Sequence, residues 1–182
     1  LDHTIKICDI ETGKLKKSII GHEGAVNAVN FTADGKKLFS AGYDGTIRLW
    51  DIIDGFEIRT LIDNGWGVNV LKMHEDKDLM IYGTIDGLMK VQTLQTGEVL
   101  FELWEEGSPV SALNYYPEYD LAVFGTMKGR VLILNLKTMK VEKDFLSVDG
   151  PVWDVVYNGV KETVLVGGLD DTIAEWKLNS FH

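Results

Sequence analysis

The stretch Lys37-Leu-Phe-Ser-Ala-Gly-Tyr-Asp-Gly-Thr-Ile-Arg-Leu-Trp-Asp51 decides the fold. Two short, largely apolar runs flank Tyr43-Asp44-Gly45, and the Asp-Gly pair supplies the positive φ of a tight turn at little cost. Upstream, Ala25-Val-Asn-Ala-Val-Asn-Phe31 alternates small or apolar residues with polar ones, as a half-buried strand does. Ala33-Asp34-Gly35 turns that run into the next. Downstream, Ile53-Asp54-Gly55 turns Thr46–Asp51 into Phe56-Glu-Ile-Arg-Thr-Leu-Ile62. Residues 21–62 therefore read as four short antiparallel strands.

The unit repeats with a period of 42 residues. Trp50 is in register with Cys8, Gln92, Leu134 and Trp176. Val26 is in register with Val68, Val110 and Val152, and Gly45 with Gly87 and Gly129. Aspartates recur at Asp2, Asp44, Asp86 and Asp170, with Lys128 the exception. A period of this length means stacked copies of one small unit. Four-stranded units stacked around an axis are the blades of a β-propeller, so the expectation is an all-β fold. The period gives three whole blades at 21–62, 63–104 and 105–146. A partial blade at 1–20 holds a third and a fourth strand, and one at 147–182 holds strands one to three.

Gly21-His22, Ser40-Ala41-Gly42 and Asp44-Gly45-Thr46-Ile47-Arg48-Leu49-Trp50-Asp51 resemble the WD40 repeat, and the resemblance extends along the whole chain at repeat level. It implies a non-enzymatic scaffold that binds protein partners through the top face of the propeller. It also implies a buried polar chain through His22, Ser40, Asp44 and Trp50. The chemistry agrees: a buried indole N–H needs an acceptor, Ser40 can accept it and donate onward to His22, and His22 can donate to Asp44. At the His22 position the other copies carry Asn64, Glu106 and Val148; at the Ser40 position they carry Tyr82, Phe124 and Val166. Half a buried network is worse than none, so the complete set is expected only in 21–62. Because the family mostly builds seven blades, the chain reads as part of a larger propeller. Closure is expected from missing blades or from a second chain.

The bulk chemistry narrows the function. A net charge of −10 argues against a duplex-DNA binder, and 45% hydrophobic with 25% charged residues is globular composition. No apolar run is long enough for a membrane span. Cys8, the single cysteine, excludes an internal disulfide. A reducing compartment is compatible, which favours a cytoplasmic setting. His3, His22, His74 and His182 lack ligand spacing, so no metal or cofactor is expected. Glu105-Glu106 reads as a solvated turn, and Gly167-Gly168-Leu-Asp170-Asp171 as a strand turn with no phosphate-binding Lys-Ser/Thr after it. Aromatic anchors carry interface energy, and Tyr43, Trp66 and Trp153, with Asn69 near the channel, are the expected partner-binding residues. The alternative is the propeller portion of a bacterial extracytoplasmic redox protein, placing it in the periplasm. Its c-type cytochrome domain would lie outside these residues. Asp63-Asn-Gly-Trp-Gly-Val-Asn69 and Pro151-Val-Trp-Asp154 are weakly similar to such blades.

Overall fold

A computed structural model describes residues 2–63, 65–168 and 173–177. Asn64, Asp170, Asp171, Thr172, Leu178 and His182, each given a place by the period, lie outside the described residues. The chain opens with a two-stranded half-blade, β1 (Thr4–Cys8) and β2 (Leu15–Ile20). The first full blade follows as β3 (Val26–Phe31), β4 (Lys37–Gly42), β5 (Thr46–Asp51) and β6 (Glu57–Asp63). The second is β7 (Val68–His74), β8 (Leu79–Thr84), β9 (Leu88–Thr93) and β10 (Val99–Trp104). The third is β11 (Val110–Tyr116), β12 (Leu121–Thr126), β13 (Arg130–Asn135) and β14 (Lys140–Leu146). The last blade shows three strands, β15 (Val152–Asn158), β16 (Thr163–Gly168) and β17 (Ile173–Lys177).

Every strand pairs antiparallel with its sequence neighbour inside its own sheet, so each blade is a meander. At the β4–β5 turn Gly45 takes φ +79, the left-handed conformation expected of its Asp-Gly pair. First strands touch first strands: β3 meets β7, β7 meets β11, and β11 meets β15. That is the inner row of a propeller. The apolar cores lie between blades rather than within them. One core joins Ile81 and Val91 of the second blade to Val110 and Phe124 of the third; another joins Val123 and Ile133 to Val152 and Val166. The half-blade is seated the same way, Ile5 and Ile19 packing on Leu38 and Trp50. On the side of β3 turned toward the half-blade, Val29 is 50% and Phe31 61% exposed.

In every blade the pairing of the first two strands slips at one residue, after Val26, Val68, Val110 and Val152. A bulge of this kind re-aims the side chain it skips. The skipped residues are Asn27, Asn69, Ser111 and Trp153. The first three use their freedom alike. Asn27 Nδ2 donates to Val68 O at 3.1 Å, Asn69 Nδ2 to Val110 O at 2.8 Å, and Ser111 Oγ to Val152 O. Each bond spans 41 residues and ties one blade to the next. A second row repeats the device: Asn30 Nδ2 donates to Leu71 O at 3.0 Å and Asn114 Nδ2 to Val155 O at 2.6 Å. The short 3₁₀ turn Glu75–Lys77 adds a link on the opposite face. There Glu75 Oε1 accepts from Ala33 N at 2.8 Å, and Lys77 pairs with Asp120.

Candidate functional site

Four polar side chains from three segments meet inside the first full blade. Trp50 Nε1 donates to Ser40 Oγ at 2.7 Å, Ser40 Oγ lies 2.6 Å from His22 Nε2, and His22 Nδ1 lies 2.7 Å from Asp44 Oδ2. An indole N–H only donates, so Ser40 accepts it and spends its own proton on Nε2. That leaves Nδ1–H for the carboxylate. The backbone makes room: a Cβ on Gly42 would lie 2.9 Å from His22 Nδ1 and 3.1 Å from Asp44 Oδ1. Glycine at 42 is what lets the two groups meet.

Further donors hold the Asp44 end of the relay. Asp44 also accepts from Thr46 N at 3.0 Å, Thr46 Oγ1 at 2.8 Å and Glu23 N at 2.9 Å. Burial works to raise its pKa, but the Thr46, His22 and Glu23 hydrogen bonds outweigh it and lower the pKa to about 2. Arg48 closes the outer side, donating to Thr46 Oγ1, to Gly21 O and to Glu57 at 3.0 Å. Sequence reading left Thr46, Arg48 and Glu57 out of the relay; alternation along β5 turns Thr46 and Arg48 to one face of the strand, and Glu57 comes from the start of β6.

His22, Ser40 and Asp44 also have the outline of a hydrolytic triad. Ser40 is 0% exposed and Trp50 occupies its oxygen, so no substrate reaches it. Among the described residues no group of three His, Cys, Asp or Glu side chains gathers into a metal site. Among the described residues no helix is long and apolar enough to cross a membrane.

The corresponding positions elsewhere follow a different chemistry. Tyr82 and Gln92 replace Ser40 and Trp50 in the second blade, with Tyr82 OH donating to Gln92 Oε1 at 3.4 Å. Burial, with the Glu102 charge, pushes the Tyr82 pKa up to about 12, so the phenol stays a donor. Phe124 and Leu134 replace them in the third blade, both fully buried.

The aromatic set is open. Tyr43 is 54% exposed, Trp66 55% and Trp153 53%. Tyr43 and Trp66 belong to neighbouring loops in contact: a Cβ on Gly67 would lie 3.1 Å from Tyr43 Cα, and one on Gly45 would lie 3.1 Å from Trp66 N. Trp66 stands in register with Gly24, Ser108 and Gly150, and Trp153 with Asn27, Asn69 and Ser111. Neither tryptophan is a requirement of the repeat. Asn69 is half-buried, and its amide is engaged in the clasp to Val110 O.

Comparison with known proteins agrees with this architecture. The family described as WD domain, G-beta repeat matches residues 13–51, the stretch that contains Ser40, Asp44 and Trp50. That match covers one repeat of the chain, which is similar there to a WD40 repeat. The computationally designed Ika4 protein, known from a crystal structure, is similar in fold, with a TM-score of 0.73 at 25% identity. The alignment covers 87% of this chain and 94% of Ika4. Solved structures of 1552 chains match in all, and a fold used so widely carries no single function. No curated protein matches the sequence.

Proposed function

We propose that this chain is a non-enzymatic scaffold that binds protein partners on its top face, with Tyr43, Trp66 and Trp153 as anchors and Asn69 as their neighbour at the channel. The observation that carries this reading is the half-exposed aromatic set on a frame whose loops are held by repeated backbone and side-chain bonds. Large aromatic side chains on a rigid platform lose little entropy when they are covered, so they concentrate binding energy. The similarity of residues 13–51 to a WD40 repeat supports the general class of protein-interaction scaffold. The acidic balance of the chain, −10 overall, favours a basic partner.

The test is capture from a cell lysate by the immobilised chain. Trp66→Ala and Trp153→Ala variants that keep the wild-type circular dichroism are expected to lose the captured proteins. Capture unchanged in both variants rejects this face.

A further inference from the structure

Five aspartates are followed directly by glycine, at 34, 44, 54, 86 and 149. Such a pair can close on itself: the glycine amide nitrogen attacks the aspartate Cγ, and no β-carbon on the glycine shields it. A fold prevents the reaction in two ways. A hydrogen bond can hold the glycine N–H, and further bonds can hold the carboxylate away from the nitrogen.

Four of the pairs are restrained. Gly35 N donates to Thr32 O at 2.9 Å, Gly45 N to Gly42 O at 3.1 Å, Gly55 N to Asp51 O at 2.9 Å and Gly87 N to Thr84 O at 3.4 Å. These bonds close tight turns. Three of the four carboxylates are engaged as well. Asp34 accepts from Lys36 N at 2.9 Å, Asp44 belongs to the relay, and Asp86 accepts from Thr84 Oγ1.

Asp149–Gly150, in the loop from β14 to β15, has neither restraint. Among the described residues nothing accepts from Gly150 N and nothing donates to the Asp149 carboxylate. One blade earlier the matching loop is closed, Ser108 N donating to Glu105 O at 3.1 Å. Gly150 and Ser147 hold those two positions, and the bond between them is not made. Asp149 is exposed, as are its register mates Glu23, Gly65 and Gly107, so its accessibility belongs to the repeat. The loop is nevertheless anchored on both sides of the pair. Ser147 N donates to Gly129 O at 2.9 Å, a Cβ on Gly129 would collide with Val148 O, and Val152 is fully buried in the core shared with the third blade.

We propose that Asp149 is a site of spontaneous isoaspartate formation, and that the product loosens the joint between the third and last blades. The bond from Gly150 N to Cγ forms and a Cγ–O bond of the protonated carboxyl breaks. The amide proton leaves with that hydroxyl as water. The five-membered imide then takes up water again. Cleavage between nitrogen and Cγ restores aspartate; cleavage between nitrogen and the main-chain carbonyl carbon leaves the chain running through Cγ. No oxidant or cofactor enters, and the mass is unchanged. The isoaspartyl link adds one methylene to a backbone held by packing at Val148 and Val152.

The test ages the 182-residue chain in neutral buffer, digests it with trypsin and maps the peptides by mass spectrometry. Isoaspartate is marked with an L-isoaspartyl carboxyl methyltransferase and labelled S-adenosylmethionine. A several-fold excess is expected at 149 over each of 34, 44, 54 and 86. In urea, where every turn bond is lost, the excess is expected to vanish. Asn64-Gly65 and Asn158-Gly159 react with loss of ammonia, and the gain in mass keeps them apart in the map. Asp149→Glu closes a larger, slower ring and removes the mark from its peptide. Fresh wild-type and Asp149→Glu chains are expected to melt alike, and aged wild type below equally aged Asp149→Glu. Comparable isoaspartate at another of the five pairs in the folded chain overturns the proposal. So does an excess at 149 that persists in urea, or equal melting of the two aged chains once 149 carries the mark.

Discussion

The first full blade and the third share a backbone and differ in what fills it. In one, Ser40 and Trp50 belong to a relay with His22 and Asp44; in the other, Phe124 and Leu134 fill the same positions with hydrocarbon. Strand order and antiparallel pairing survive the exchange, so the polar relay is not required for the blade to form. The two solutions differ in how they fail. An apolar core loses contacts in proportion to what is removed, whereas a buried relay loses the satisfaction of every remaining member.

That contrast can be broken by mutation. The largest effect is expected from Phe124→Ala, a loss of about 3–5 kcal/mol measured by urea unfolding, because the cavity lies in a core shared by two blades. Asp44→Ala follows at about 2–4 kcal/mol, since it leaves the His22 N–H and the Glu23 and Thr46 amides without their acceptor. The equivalent Lys128→Ala, an exposed side chain, should change stability by about 0.5 kcal/mol or less. Equal losses at 44 and 128 would remove the relay as a source of stability.

A pH titration sharpens the same comparison with a smaller signal. The Asp44 pKa in the folded chain is about 2, below the ordinary 3.8. Its contribution is therefore fully present above about pH 4 and is lost as the pH falls through about 2. An Asp44→Asn chain should show a shallower decline in stability across that window than the wild type. Identical slopes would mean that the carboxylate is no better held in the folded chain than in the unfolded one.

Much of this molecule is legible without coordinates, for physical reasons. A 42-residue period, Asp-Gly turns and runs of alternating polarity are local properties, and they suffice for four-stranded antiparallel units. The relay residues were readable through their resemblance to the WD40 repeat, with which their hydrogen-bonding roles agree. The bulges were not. Asn27, Asn69 and Ser111 look like ordinary polar positions on a strand, and only cross-strand pairing shows that each is skipped and swung toward the next blade. Glu57 likewise joins the relay through Arg48 only because β6 lies beside β5. The 3₁₀ turn at Glu75–Lys77, with its links across two blades, was hidden inside what the sequence shows as an ordinary turn.

Chemistry carried by single residues and their spacing was thus settled by the chain alone: the repeat, the strand order and the acidic balance, while the buried polar set came from the resemblance to a known repeat. Relations between repeats required the fold. Which amide clasps which carbonyl, and which blade's apolar side chains fill which joint, depend on surfaces brought together from 42 residues apart. Local pattern determines what a blade is; packing between blades determines which of its faces meet a neighbour.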